Sequence, residues 1–274
     1  MINIKDLNVR DPFVVNENGV YYLFASYKGE NDDFPSFVCY KSVDLENFED
    51  PKYIFIRPEN FWATKQFWAP EVHKYKGKYY LFASLKSDDK CRGTQIFVCD
   101  TIDGNYIPLK DEPITPRDWE CLDGTLYVEN GVPYIIFCHE WLQVNDGKMY
   151  AARMSDDLKD IIGEPIYLFA ASDAKWVRPF CDEINYVTDG PFIIKKDDKL
   201  QMIWSSYAKD GYAVGVCESK SIEGPWIQKD EPIYSKNGGH AMVFVKDGIQ
   251  MLSLHTPNDP DGAERPLFIP LGNI

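Results

Sequence analysis

The 274-residue chain carries 43 acidic against 29 basic residues, a formal charge of −14. That balance argues against phosphate backbones and anionic membranes, so neither nucleic acid nor a membrane is expected as a partner. With 15% aromatic and 26% charged residues the composition is that of a folded globular chain, and it contains no 18-residue apolar run to cross a bilayer.

In chain order, the N-terminal stretch MINIKDLNVRDP comes first. It lacks the basic start and apolar core of a secretory signal, so the chain as it stands is expected to be cytoplasmic. RDPFVVNENGVYYLFAS follows at residues 10–26, and WAPEVHKYKGKYYLFAS at 68–84 has the same plan. Each is an apolar run, a turn with one Gly, and a second apolar run. Three further copies begin at Asp123 (DGTLYVENGVPYIIFCHEW), Asp189 (DGPFIIKKDDKLQMIWSS) and His240 (HAMVFVKDGIQMLSLHTP). Aligned on their turns, the copies have Asp11, Ala69, Asp123, Asp189 and His240 as leading residues. The turn Gly recurs at Gly19, Gly77, Gly131 and Gly248. The fourth copy has Asp197-Asp198 there and aligns with one inserted residue.

A third strand is expected after each of the first four hairpins, at FVCYKS, QIFVCD, MYAARMS and YAVGVCES. A fourth is heralded by EDPKYIF, DEPI, GEPIYLF and DEPIYS. These short Val-, Ile-, Tyr- and Phe-rich runs, cut by Gly, Pro and Asp, are strand chemistry, and no long helical period appears. Five four-stranded units predict an all-β, five-bladed β-propeller forming one domain over residues 1–274. A β-sandwich does not explain a repeat of this length. The fifth unit runs out near RPLFIPLGNI, so the N-terminal MINIKDL is expected to supply its fourth strand and close the ring. Seven cysteines without a CxxC pair predict neither zinc nor disulfides. Cys39, Cys99 and Cys217 are expected as small buried residues of equivalent strands.

The first strand of a propeller blade lines the central channel, so the leading residues are expected at one mouth. Three Asp and one His among five leaders is more acid than a structural rim needs, and their repulsion should raise some of their pKa values. The motifs RDPFV, WAPEV, LDGTLYV, DGPFI and GGHAMVF, in this order over nearly the whole chain, resemble glycoside hydrolase family 43. That family consists of five-bladed propellers acting mainly on α-L-arabinofuranosides and β-D-xylosides.

The resemblance implies that Asp11 is the general base and that Asp123 orients the acid and raises its pKa. It also implies that His240 helps hold a central water or metal ion, often calcium; no other cofactor is expected. The family's acid is a Glu in an E-G-P context. Here TDGPF places Asp189 at that position, one methylene shorter. Glu140 in FCHEWLQ, at the end of the second strand of blade three, is the competing candidate for proton donor. Its counterparts in blades one and two are Lys28 and Lys86. Inverting hydrolysis needs a carboxylate and a carboxylic acid roughly 6.5–9.5 Å apart.

Trp62, Trp68, Trp141, His139 and Trp176 are expected to offer sugar-stacking faces, and Arg178 and Arg265 to donate to sugar hydroxyls. The expected activity is glycosidic cleavage of arabinofuranosyl or xylosyl links in an oligosaccharide or polysaccharide. The alternatives are a galactosidase, a carbohydrate-binding propeller that lost its acid, and a protein-interaction propeller.

Overall fold

Apolar runs joined by two-residue turns fold here as antiparallel hairpins. The computed structural model describes residues 1–27 and 36–272. Blade one orders Phe13–Glu17, Val20–Tyr27, Ser36–Ser42 and Lys52–Ile56 from first strand to last. Blade two has Lys65–Tyr75, Lys78–Lys86, Gly93–Cys99 and Ile107–Pro108. Blade three has Cys121–Glu129, Val132–His139, Lys148–Arg153 and Ile166–Ala170. Blade four has Asp189–Lys196, Lys199–Ala208, Gly211–Ser219 and Ile227–Gln228. Blade five has three strands, Gly239–Lys246, Ile249–Thr256 and Arg265–Pro270. First strands of successive blades touch, the fifth meeting the first, so the sheets form a closed five-bladed propeller.

The core lies between blades. One cluster joins blade one to its neighbours through Phe24, Phe37, Phe55, Phe97 and Phe244. Others fill the spaces between blades two and three (Phe82, Ile135, Phe137), three and four (Met149, Met202, Trp204), and four and five (Ile203, Val214, Leu254). All seven cysteines are free; Cys39 and Cys217 are buried and Cys99 is half-buried. No helix among the described residues is long and apolar enough to cross a membrane. Lys28 lies outside the described residues.

Three details differ from the sequence expectation. In blades two and four the fourth strand is the dipeptide before DEPI, not DEPI itself. Ile114 and Ile233 return to the third strand by single backbone bonds, to Thr94 and Val214. Pro113 and Pro232 have no N–H to extend the ladder. The N-terminal segment does not become the fourth strand of blade five. Ile2–Asn3 pairs with Asn47–Phe48 of blade one, and the turn at Ile4–Asp6 ends the extended run. The segment spans the seam through side chains instead. Leu7 and Val9 are buried in the core, Asn8 donates to the Gly262 carbonyl at 2.6 Å, and Arg265 Nε donates to the Lys5 carbonyl at 2.9 Å.

The third difference is the register of blade four. Each first strand in blades two to five slips its ladder beside the leading residue. The residue in that bulge has positive φ: Ala69 at 46°, Asp123 at 54°, Gly190 at 49° and His240 at 52°, matched in blade one by Asp11 at 53°. Each stands seven residues before the positive-φ turn residue, respectively Lys76, Asn130, Asp197, Asp247 and Asn18. The true leader of blade four is therefore Gly190, and no residue is inserted. Asp189 occupies the preceding position, equivalent to Arg10, Trp68, Leu122 and Gly239.

Candidate active site

A bulge leaves its backbone amide outside the ladder, and a buried amide needs a partner. The preceding blade supplies one in four cases. Asp123 N donates to Ser84 Oγ at 2.8 Å, His240 N to Ser205 Oγ at 2.8 Å, and Asp11 N to His255 Nδ1 at 3.2 Å. Gly190 N donates to the Asp123 carboxylate itself, Oδ2 at 3.0 Å. These positive-φ leading positions thus aim Asp11, Asp123 and His240 at one mouth of the channel. His240 Nδ1 lies 3.3 Å from Asp11 Oδ1 and 3.8 Å from Asp123 Oδ2.

Gly190 makes room for this meeting. A Cβ there would lie 2.9–3.1 Å from the His240 ring. Gly190→Ala is expected to push the imidazole off the carboxylates, costing about 1–3 kcal/mol of stability from overpacking in addition to the strained φ. Unchanged melting temperature and unchanged turnover in this variant would show that the ring does not depend on the gap.

Environment separates the carboxyl groups. Burial opposes a charge on Asp11, but His240, His255 and Arg10 around it hold its carboxyl well below the usual range. Burial raises Asp123 to about 6 against the pull of His240. Burial and then repulsion from Asp123 raise Asp189 to about 7. Asp189 Oδ2 accepts from the Tyr212 hydroxyl at 2.8 Å. For His240, burial disfavours the charge, but Asp11, Asp123 and Asp189 outweigh it and raise the pKa.

Glu140 follows the second strand of blade three and precedes the short helix Trp141–Val144. It is ion-paired with the buried guanidinium of Arg92. Burial nonetheless raises Glu140, to about 7, with Arg92 opposing and Asp189 adding. Arg92 also donates to Gln66 Oε1, from Nη2 at 2.8 Å, and lies 4.5 Å over the Trp68 ring. Trp68 is therefore near Glu140 with one face already covered. Trp141 meets Phe180 edge-on at 5.8 Å, Phe180 lies 4.5 Å from Tyr207, and Tyr207 lies 5.3 Å from Tyr212. An aromatic rim thus runs from Trp141 to Asp189. Phe180 is 47% exposed within it.

Other expected sugar contacts are committed elsewhere. Trp62 donates Nε1 to Gln95 at 2.7 Å and packs on the blade-one core. Trp176 is buried against Trp204 at 5.1 Å. His139 stacks on Trp119 at 4.4 Å and bonds Gln143 at 2.7 Å. Arg178 is exposed and donates to the Lys175 and Val177 carbonyls of its own loop at 2.8 and 2.7 Å. Arg265 ties the N-terminal seam. Packing or an internal hydrogen bond therefore engages each of these side chains, although the buried ring nitrogens Trp176 Nε1 and His139 Nδ1 have no hydrogen-bond partner among the described residues.

Sequence reasoning did not single out Arg92, Tyr212, Phe180, Tyr207 or His255. Only Arg10, adjacent to Asp11 in RDPFV, carried a local signal. Its guanidinium reaches Glu264 at 3.0 Å and Asn258 at 2.7 Å.

Calcium is a hard cation that takes six to eight oxygens. One imidazole already engaged by two carboxylates is a poor fit, and among the described residues no group of three or more His, Cys, Asp or Glu is disposed to hold a metal. No step below passes through one.

The comparisons point the same way as the geometry. The sequence model for "Glycosyl hydrolases family 43" matches residues 3–268. The solved structure of an endo-arabinase from Bacteroides thetaiotaomicron VPI-5482 is 41% identical, with a TM-score of 0.92 over 98% of this chain and 96% of that one. Alpha-L-arabinofuranosidase 43 of Humicola insolens is 23% identical over 90% of this chain and 54% of its own length. Extracellular endo-alpha-(1->5)-L-arabinanase 2 of Bacillus subtilis is 26% identical over 90% of this chain and 55% of its own. The chain thus spans about half the length of these two curated relatives. With the five leading motifs on successive blades and the match running from the first strand to the last, the chain belongs to glycosyl hydrolase family 43.

Proposed function

We propose that the chain is a glycosidase that cleaves α-L-arabinofuranosyl linkages with inversion. The observation that carries this reading is the split between carboxyl groups at one mouth: Asp11 held ionised, Asp189 raised to about 7. Opposed environments of this kind mark a base and an acid. Asp11 is the base. Its Oδ1 faces His240 and His255, and among the described residues Oδ2 makes no hydrogen bond or ion pair, which suits it to take a proton from water.

Asp189 is the acid. Among the described residues it has no ion-pair partner, and burial, joined by repulsion from neighbouring Asp123, favours a proton on it. Glu140 has a comparable pKa, but a proton there would break its pair with buried Arg92. Charged His240 offsets the repulsion between Asp11 and Asp123. The names of the relatives support arabinose over xylose.

The test is hydrolysis of aryl α-L-arabinofuranoside, aryl β-D-xyloside, aryl galactoside and linear arabinan, with the first-formed anomer read by NMR. Release of arabinose as the inverted β anomer is expected. The retained anomer would remove the base role from Asp11, and arabinan binding without release would favour a carbohydrate-binding propeller.

A further inference from the structure

Asp11 is held from behind by a residue with no assigned role. His255, on the second strand of blade five, is fully buried. Its Nδ1 lies 3.2 Å from the Asp11 amide nitrogen and 3.1 Å from Asp11 Oδ1. Its Nε2 lies 3.1 Å from Asn258 Oδ1. That oxygen also accepts from Arg10 Nη2 at 2.7 Å, while the Asn258 amide donates to Tyr207 and Asp259. The Asn258 orientation is thereby settled, and an acceptor facing Nε2 requires that nitrogen to carry hydrogen.

Nδ1 then has two uses. In neutral His255 it has a lone pair and accepts the Asp11 amide. In the imidazolium it donates to Oδ1. Either state grips Asp11, and stacking by Tyr212 at 5.8 Å and 17° keeps the ring plane fixed. The chain Asp11–His255–Asn258–Arg10–Glu264 runs across the seam where the last blade meets the first.

We propose that His255 is a positioning residue for Asp11: by accepting from the Asp11 amide, or by donating to Oδ1 when it carries a second proton, its Nδ1 fixes the aspartate so that Oδ2 is left facing the water to be activated. This rests on Asp11 being the base. A small rotation of the carboxylate moves Oδ2 off the line of attack, and misplacement of about 1 Å costs about 10²-fold in rate.

Two near-isosteres test it, because they keep opposite ends of the ring. His255→Asn retains a polar atom where Nδ1 sits and gives up Asn258. His255→Gln retains one where Nε2 sits and gives up Asp11. Rates on an aryl α-L-arabinofuranoside and melting temperatures are measured for both, with Asp11→Asn alongside. The expected result is a fall in kcat of about 10²-fold for His255→Gln at nearly unchanged KM, with His255→Asn retaining about ten times more activity. A merely structural histidine would make the two rates follow the two melting temperatures instead, and that outcome overturns the proposal. Should a variant fail to fold, Asn258→Ala in the otherwise intact protein frees the ring from the outside. A fall in kcat of tenfold or more at unchanged KM is then expected, and an unchanged rate refutes the proposal. Inactive wild-type protein, or an active Asp11→Asn variant, would instead count against the reading of the site on which this rests.

Discussion

Asp11→Asn is expected to lower turnover by about 10²–10⁴-fold or more while leaving sugar binding and melting temperature nearly unchanged. The amide is isosteric and keeps an oxygen where Oδ1 meets His240 and His255. What disappears is the proton acceptor at Oδ2. The structure sharpens this expectation, since the surroundings hold Asp11 ionised even though it is buried. Steady-state rates, a binding isotherm with an arabino-oligosaccharide and a thermal melt check it together. Near wild-type turnover would place water activation on another group. A large drop in melting temperature would mean that the negative charge, set against His240, holds the mouth together.

The proton donor is expected to reveal itself by leaving group. An acid variant is slow on a sugar leaving group, which needs protonation, and much less impaired on an activated aryl glycoside, which does not. Asp189→Asn should show this selective loss, about 10²–10⁴-fold on arabinan against a small loss on the aryl substrate. Glu140→Gln should lose a similar factor on both substrates. Glu140→Gln also leaves the buried guanidinium of Arg92 without its counter-charge, so its melting temperature should fall.

The pH profile gives a second readout. The donor works protonated, so wild-type activity should fall as pH rises through about 7, where Asp189 loses its proton. That limb should vanish in Asp189→Asn. Selective loss in Glu140→Gln instead would move the donor to Glu140. Equal loss on both substrates in both variants would assign the proton to neither.

The register of blade four shows how far the sequence carried the argument about the acid. Placing Asp189 level with Asp11 and Asp123 took one inserted residue at the Asp197-Asp198 turn. The backbone places Gly190 there, because its positive φ matches theirs and its bulge matches that at Asp123. The other four turns are marked by Gly, and the fourth has Asp197-Asp198 instead, so the linear chain left its register open by one residue. The shift has chemical consequences. Asp189 bonds Tyr212 instead of joining His240, and Gly190 clears the space that His240 fills.

Strand chemistry, turn residues and the five copies of one hairpin were legible in the linear chain, and so was the gathering of Asp11, Asp123 and His240. Each of these follows from local rules: side-chain alternation, turns that demand positive φ, and a leading position that repeats in every blade. The partners that set the chemistry were not legible. His255 lies 244 residues from Asp11, and Arg92 lies 48 from Glu140. The tryptophans divided in the same way: Trp141 joined the rim, Trp62 and Trp176 went between blades, and nothing in their neighbours along the chain distinguished them. Such pairings depend on how five twisted sheets rotate about a common axis and which buried donors then need acceptors. Ring closure brings the first blade against the last, and the network behind Asp11 exists only once that seam is formed.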